Sequence, residues 1–202
     1  MVDQFPACLP HVAHIVERTD ETSRVRTLAF DLYLEGLPGQ FVMAWLPGVD
    51  EKPFSLVKAR PVTLAIARVG PFTEAVFRLE VGERLWLRGP LGTPFRLPPV
   101  PSGSPGQNSG DLLLVGGGYG IAPMSFLAEQ GLEAGWGVDV VIGARTAANV
   151  FYTDRFARMG ARVTVTTEDG SLGEQGLVTD AVRRLLEQRA YQGLYACGPE
   201  PM

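Results

Sequence analysis

The chain has 202 residues, of which 46% are apolar and 20% charged, with a formal net charge of −4. That is enough chain for one or two domains with sizeable cores, and the acidic balance argues against nucleic acid as a partner. No apolar run reaches the roughly 18 residues a membrane helix needs, and the start, MVDQFPACLPHVAH, lacks the basic-then-apolar order of a signal peptide.

The two histidines, His11 and His14, fall in a first strand or its approach. With Cys8 and Cys197, which are far apart, they give no zinc-type spacing. Two distant cysteines suit a reducing, cytoplasmic setting better than a disulfide framework. VRTLAFDLYL, residues 25–34, alternates apolar and polar residues as a half-buried strand does. QFVMAWLP, FSLVKA, PVTLAIARV and ERLWLRGP read as further strands bounded by Pro or Gly. Short strands at such close spacing predict a sandwich or small barrel. PFTEAVFRLEVG, residues 71–82, is the one helical segment here, with Thr73 as its N-cap and Val76, Phe77 and Leu79 facing a core.

Composition shifts at RLPPVPSGSPGQNSGD, residues 96–111, which reads as a linker. Beyond it the pattern alternates. DLLLVGGG, VDVVIGAR, RVTVTTEDGS and GLYACGP are strands. APMSFLAEQGLEAG, NVFYTDRFARMG and LVTDAVRRLLEQR are helices, the last with Val182, Leu185 and Leu186 on its apolar side. The order βαβαβαβ predicts a parallel sheet with helices on both faces, and ligands outside the C-terminal strand ends.

Three stretches carry chemistry. VGGGYGIAP, residues 115–123, sits where the first strand of the parallel sheet hands over to a helix. Glycines there let backbone approach a phosphate, and the helix start supplies free N–H groups. It departs from the G-x-G-x-x-G fingerprint because Ile121 stands in the third glycine's place; a plain tight turn is the other reading. In EKPFSLV, Lys52 offers a cation for a phosphate and Ser55 a hydroxyl for a ring atom. In ARVGPFTEAV, Gly70 and Thr73 make a turn and cap where a diphosphate docks.

Taken in order, KPFS, GPFT, GERLWLRGPLGTPF, LLLVGGGYGIAP and YACGPEPM resemble the ferredoxin–NADP reductase superfamily, from about residue 11 to the end. Within it, TEDGSLGEQGLVTDAV and the compact first half are most similar to the electron-transfer subunits of class B dihydroorotate dehydrogenases. The resemblance implies an all-β barrel that binds FAD (1–97), a linker (98–110) and an α/β domain that binds NAD(P) (111–202). It places Lys52 near the FAD phosphates, Pro53 and Phe54 along the flavin, and Ser55 near its reactive ring. The next flavin strand is Ile66, Ala67 and Arg68, followed by Phe72 and Thr73. Gly116, Gly117, Gly118, Gly120 and Pro123 lie under the pyrophosphate of NAD(P). Cys197, Gly198 and Pro199 lie beside the nicotinamide, facing the flavin. Four positions depart from the family: lysine replaces arginine at Lys52, Ala67 an aromatic residue, Phe72 a glycine and Tyr119 a threonine.

The resemblance also implies the reaction. Hydride passes between nicotinamide C4 and flavin N5, and the protein sets geometry rather than acting as acid or base. Ser55 and Cys197 are the residues expected at the reacting rings. Arg145 and Thr146 face a 2′-phosphate, or Arg145 stacks on adenine; the resemblance favours NAD(H). A [2Fe–2S] cluster, held by four cysteines, belongs to the family after the Cys-Gly-Pro motif. Cys8 and Cys197 cannot supply that set, and the stop at Met202 reads as an incomplete or shortened chain. The partner implied is a catalytic dehydrogenase subunit of pyrimidine biosynthesis, in a hetero-oligomer. The alternatives are a free-standing NAD(P)H:flavin or ferredoxin reductase, a hydrogenase-type reductase subunit, or a non-enzymatic nucleotide-binding module.

Overall fold

A computed structural model describes residues 9–99 and 110–199. Cys8 and most of the expected linker therefore lie outside the described residues. The chain divides into two compact units, Met1–Phe95 and Arg96–Met202.

The first unit is a closed antiparallel barrel of six strands: β1 (His11–Asp20), β2 (Val25–Phe30), β3 (Phe41–Leu46), β4 (Asp50–Ala59), β5 (Val62–Ala67) and β6 (Arg84–Leu91). They close in the order β1-β2-β5-β4-β3-β6. Alternation decides what fills it. Ile15, Leu28, Phe30, Leu56, Leu64, Ile66, Leu85 and Leu87 point inward and are fully buried. A bulge in β4 against β5 lets consecutive Leu56 and Val57 both be buried.

A six-residue helix, α1 (Pro71–Val76), leans on the barrel. It ends six residues before the predicted segment does. Phe77 is its C-cap, and the buried Arg26 guanidinium donates to the Phe77 carbonyl at 2.6 Å and lies over the Phe77 ring. A cation there meets the negative end of the helix dipole. Thr73 is not the N-cap. Gly70 is, with Thr73 three residues inside. The Thr73 hydroxyl accepts from the Val69 and Gly70 amides at 2.9 and 3.0 Å and donates to the Gly70 carbonyl. Val76 is buried, whereas Phe77 and Leu79 are only half-buried.

The second unit is a five-stranded parallel sheet: β7 (Asp111–Gly117), β8 (Gly137–Ala144), β9 (Arg162–Thr167), the two-residue β10 (Glu174–Gln175) and β11 (Gly193–Cys197), ordered β10-β9-β8-β7-β11. Its helices are α2 (Ile121–Glu133), α3 (Thr153–Met159) and α4 (Val178–Gln188). Leu113, Val115 and Val141 pack against Val178, Ala181 and Leu185 of α4. The alternate residues serve the other face, where Gly131 of α2 brings that helix onto Leu112 and Val138. Leu186 is exposed, not apolar-side. Helix α3 starts later than predicted because Tyr152 takes a left-handed backbone (φ 70°), which no helix interior tolerates.

At the N-terminal edge of the sheet, buried Asp139 accepts from Arg162 Nε and Nη2 (2.8 and 2.7 Å), Arg189 (3.2 Å) and the Tyr191 hydroxyl (2.9 Å). Arg162 also reaches Asp111 at 2.7 Å, and Gln192 bonds both the N–H and the carbonyl of Asp111. Burial alone would raise the Asp139 pKa, but the bonds from Arg162 and Tyr191 prevail and hold it below the usual carboxylate range. Tyr191 is pushed up to about 12 by burial and by its bond to Asp139.

Candidate functional site

In the barrel unit, the register β3–β4 pairs Phe41 with Ser55, Val42 with Phe54 and Met43 with Pro53. Paired residues share a face. Ser55 and Pro53 therefore stand on the outer wall beside Phe41 and Met43, and both are exposed. Phe54 takes the side of buried Val42 and stacks on Phe72 of α1 at 6.0 Å. The structure thus joins the KPFS strand to the GPFT helix through two rings. Phe72, where the family pattern has glycine, is buried as the partner of Phe54.

Lys52, expected at the FAD phosphates, and Arg68, expected on the next flavin strand, are both paired within the chain. Lys52 meets Asp50 at 2.6 Å, and Arg68 meets Glu74 at 3.1 Å and lies over Phe77. All four side chains are about half exposed, so each cation can exchange a carboxylate for a phosphate at little cost. The Ile66 side chain is fully buried inside the barrel, so it offers a ligand its backbone. Ala67, next along β5, is half-buried. Gly70 has open space where a Cβ would stand.

In the α/β unit, β7 delivers its glycines to the C-terminal edge of the sheet. Three of them have separate tasks. A Cβ on Gly116 would sit 2.5 Å from Ile121 Cα, so glycine here lets strand and helix close together. Gly118 has φ +53° and nothing within 4 Å of a built Cβ, which leaves an open cradle at the start of α2. A Cβ on Gly120 would lie 2.7 Å from Gly198 N and closer still to the Cys197 carbonyl. Gly120 thus admits the Cys197–Gly198 peptide against the turn. Gly117 and Pro123 are buried in the same segment.

Strand β11 pairs with β7 in register Cys197↔Gly116. The glycine turn and the Cys-Gly-Pro segment, 77 positions apart from Gly120 to Cys197, meet at one edge of the sheet. Burial raises the Cys197 pKa, so its thiol is neutral near pH 7. Gly198 and Pro199 are exposed beside it. Arg145, past the end of β8, is exposed and makes no ion pair among the described residues. Thr146 bonds Asn149 at 3.1 Å.

Residues 114–202 match the family model described as an oxidoreductase NAD-binding domain. Curated relatives named "Probable dihydroorotate dehydrogenase B (NAD(+)), electron transfer subunit" align over nearly the whole chain. The Methanocaldococcus jannaschii protein is 36% identical across 96% of this chain and 70% of its own length. The Archaeoglobus fulgidus protein is 40% identical across 95% and 73%. This chain belongs to the family of dihydroorotate dehydrogenase B electron transfer subunits. The structure of an NADH-dependent reduced ferredoxin–NADP oxidoreductase, described for flavin-based electron bifurcation, superposes with TM-score 0.78 at 29% identity, over 94% of this chain and 68% of that one. An Amycolatopsis cytochrome P450 reductase follows with TM-score 0.74 and 28% identity, over 92% and 61%.

For an electron transfer subunit of this family, the open cradle at Gly118 and the closure at Gly120 fit a dinucleotide phosphate at the end of β7. On the outer wall of β3 and β4, Ser55 presents an exposed hydroxyl. No grouping of three or more His, Cys, Asp or Glu among the described residues is placed to hold a metal ion. With Cys197 as the one described cysteine, these residues do not fit an iron–sulfur cluster. No helix among them is long and apolar enough to cross a membrane.

Sequence reasoning missed two parts of this edge. One is Gly143, where a Cβ would lie 2.7 Å from Val178 Cβ, so that α4 can start beside the end of β8. The other is the loop 168–173 beyond β9. Its glycines, Gly170 at φ +71° and Gly173 at φ +68°, were a visible signal of a built turn.

Proposed function

We propose that this chain binds FAD on its barrel (1–97) and NAD(H) on its α/β unit (111–202), with 98–110 as the joint. It serves a catalytic dihydroorotate dehydrogenase partner as electron transfer subunit, in the cytoplasm. The observation that carries the reading is the Gly120 contact, which brings the glycine turn and the Cys197–Gly198 peptide together at the end of β7. The 36–40% identity to electron transfer subunits supports the partner.

Bound flavin supplies the redox chemistry, exchanging a hydride with nicotinamide and electrons with the partner. The chain does the positioning. Gly118 and the first turn of α2 hold the pyrophosphate. Gly116, Gly117 and Pro123 fix that turn, and the Cys197–Gly198–Pro199 segment sets the nicotinamide edge. The neutral Cys197 thiol orients without taking a proton. Pro53, Phe54 and Ser55 set the flavin ring, with the Ser55 hydroxyl donating to a ring acceptor. Lys52 and Arg68 turn from Asp50 and Glu74 to the FAD phosphates.

A visible spectrum of the purified chain with added FAD, followed by anaerobic NADH, tests this. Flavin bands that bleach on NADH are expected. A protein that takes up no FAD refutes the reading. Co-purification with the catalytic subunit, giving NAD⁺-linked dihydroorotate oxidation, separates the subunit from a free-standing reductase.

A further inference from the structure

The dinucleotide site has two sides. β11 flanks β7 on one side and β8 on the other. With nicotinamide at Cys197, the adenosine half lies over the ends of β8 and β9. Two loops meet there. The Glu168 and Asp169 amides donate to the carbonyls of Ala144 and Arg145, at 3.1 and 3.3 Å. The Ala147 amide donates to Ser171 Oγ at 2.8 Å. Ser171 in turn donates to Asp169 Oδ1 through both its hydroxyl (2.6 Å) and its amide (3.0 Å).

The loop that carries Asp169 is pinned. Thr167 is fully buried, and its hydroxyl both donates to the Leu172 carbonyl (2.8 Å) and accepts the Leu172 amide (3.1 Å). Gly170 and Gly173 take left-handed conformations, and a Cβ on Gly173 would strike the Val165 backbone. Such a loop presents a fixed group rather than a mobile one. What it presents beside Arg145 is an exposed carboxylate.

A carboxylate beside the adenosine ribose accepts from its 2′-hydroxyl and repels a 2′-phosphate; an arginine does the reverse. This chain has arginine on the β8 loop, and the neighbouring loop supplies the carboxylate. We infer that Asp169, held by Ser171 beside Arg145, is a specificity-determining residue that selects NAD(H) over NADP(H).

The inference rests on the proposed dinucleotide site and deepens it. A doubly charged phosphate several ångströms from one exposed carboxylate is disfavoured roughly fivefold in water-like surroundings. The discrimination shrinks as salt rises.

Titration calorimetry with ADP and adenosine 2′,5′-bisphosphate on the full chain is the test, since it needs no flavin. Wild type binds ADP more tightly. Asp169→Asn keeps the shape and improves the ratio for the bisphosphate by roughly fivefold. Asp169→Glu, which keeps the charge, retains the wild-type ratio. An Asn variant with the wild-type ratio, or one that shifts both ligands equally, overturns the inference while leaving the site standing. Failure of both ligands to bind wild type overturns the site and the inference together.

Discussion

Gly120→Ala tests the proposed site most directly. The added methyl would stand 2.7 Å from Gly198 N and nearer to the Cys197 carbonyl, whereas ordinary contact begins at 3.4 Å. Relief therefore needs a shift of about 0.7 Å at Gly198 and more at Cys197. All the obstructing atoms are backbone, so no side-chain rotation can provide it. Gly120 itself is right-handed helical (φ −63°), so alanine brings no backbone strain. Overpacking of this kind costs about 1–3 kcal/mol. β11 pairs only with β7, so its end yields while the sheet survives. The Cys197–Gly198 peptide, proposed to set the nicotinamide edge, then moves about an ångström, a displacement that can cost up to about 100-fold in rate. Stopped-flow reduction of bound FAD by NADH, beside a urea melt, reads both effects. A reduction rate within twofold of wild type, with unchanged stability, would refute the reasoning.

Ser55→Ala removes the exposed hydroxyl proposed at the flavin ring; NADH reduces the flavin more slowly while NAD⁺ affinity, measured by calorimetry, changes little. Gly118→Val enters open space at φ +53°, so the fold bears about 1–2 kcal/mol of backbone strain, and nucleotide affinity falls because the cradle is filled. Asp139→Asn leaves Arg162 and Arg189 facing a neutral group and lowers unfolding free energy by about 2–4 kcal/mol, less than a fully buried pair because Arg162 is half exposed. That variant also changes the acid limb of stability. A depressed folded pKa contributes stability above the unfolded value, about 3.9, that is lost as pH falls through the folded one. Melts between about pH 5 and pH 2 therefore lose less stability in Asp139→Asn than in wild type.

The two-part architecture was legible because short strands bounded by Pro and Gly fill the first half, while apolar runs such as DLLLV and VDVVIG alternate with helical segments in the second. VRTLAF reads as half-buried, yet β2 is buried at all six positions. The glycine turn was legible because glycine marks where backbone must come close. Its partner was not. That Gly120 rests on Cys197–Gly198 is a tertiary fact, carried by the β7–β11 pairing. That Ile66 turns its side chain into the barrel was illegible for the same reason, since which of two alternating neighbours faces inward depends on register. Thr73 was read as a cap because threonine suits that role, but the glycine three residues earlier can adopt the extended conformation a cap needs (φ −177°, ψ −179°). β10, only two residues long, carries no periodic signal at all.

The ion network at Asp139 and Asp111 joins the beginnings of β7, β8 and β9 to the chain entering β11. At the opposite ends the loops after β8 and β9 are pinned to each other, whereas Gly116–Gly120 and Cys197 meet, among the described residues, through glycine contacts. The sheet resembles a fan gripped at its handle. Hydrogen exchange is expected to find the amide protons near Asp139 in the slowest class and those at Gly116–Gly120 and Cys197 opening at lower free energy. The glycine turn proposed to admit and release a dinucleotide is then free to loosen without loosening the rest.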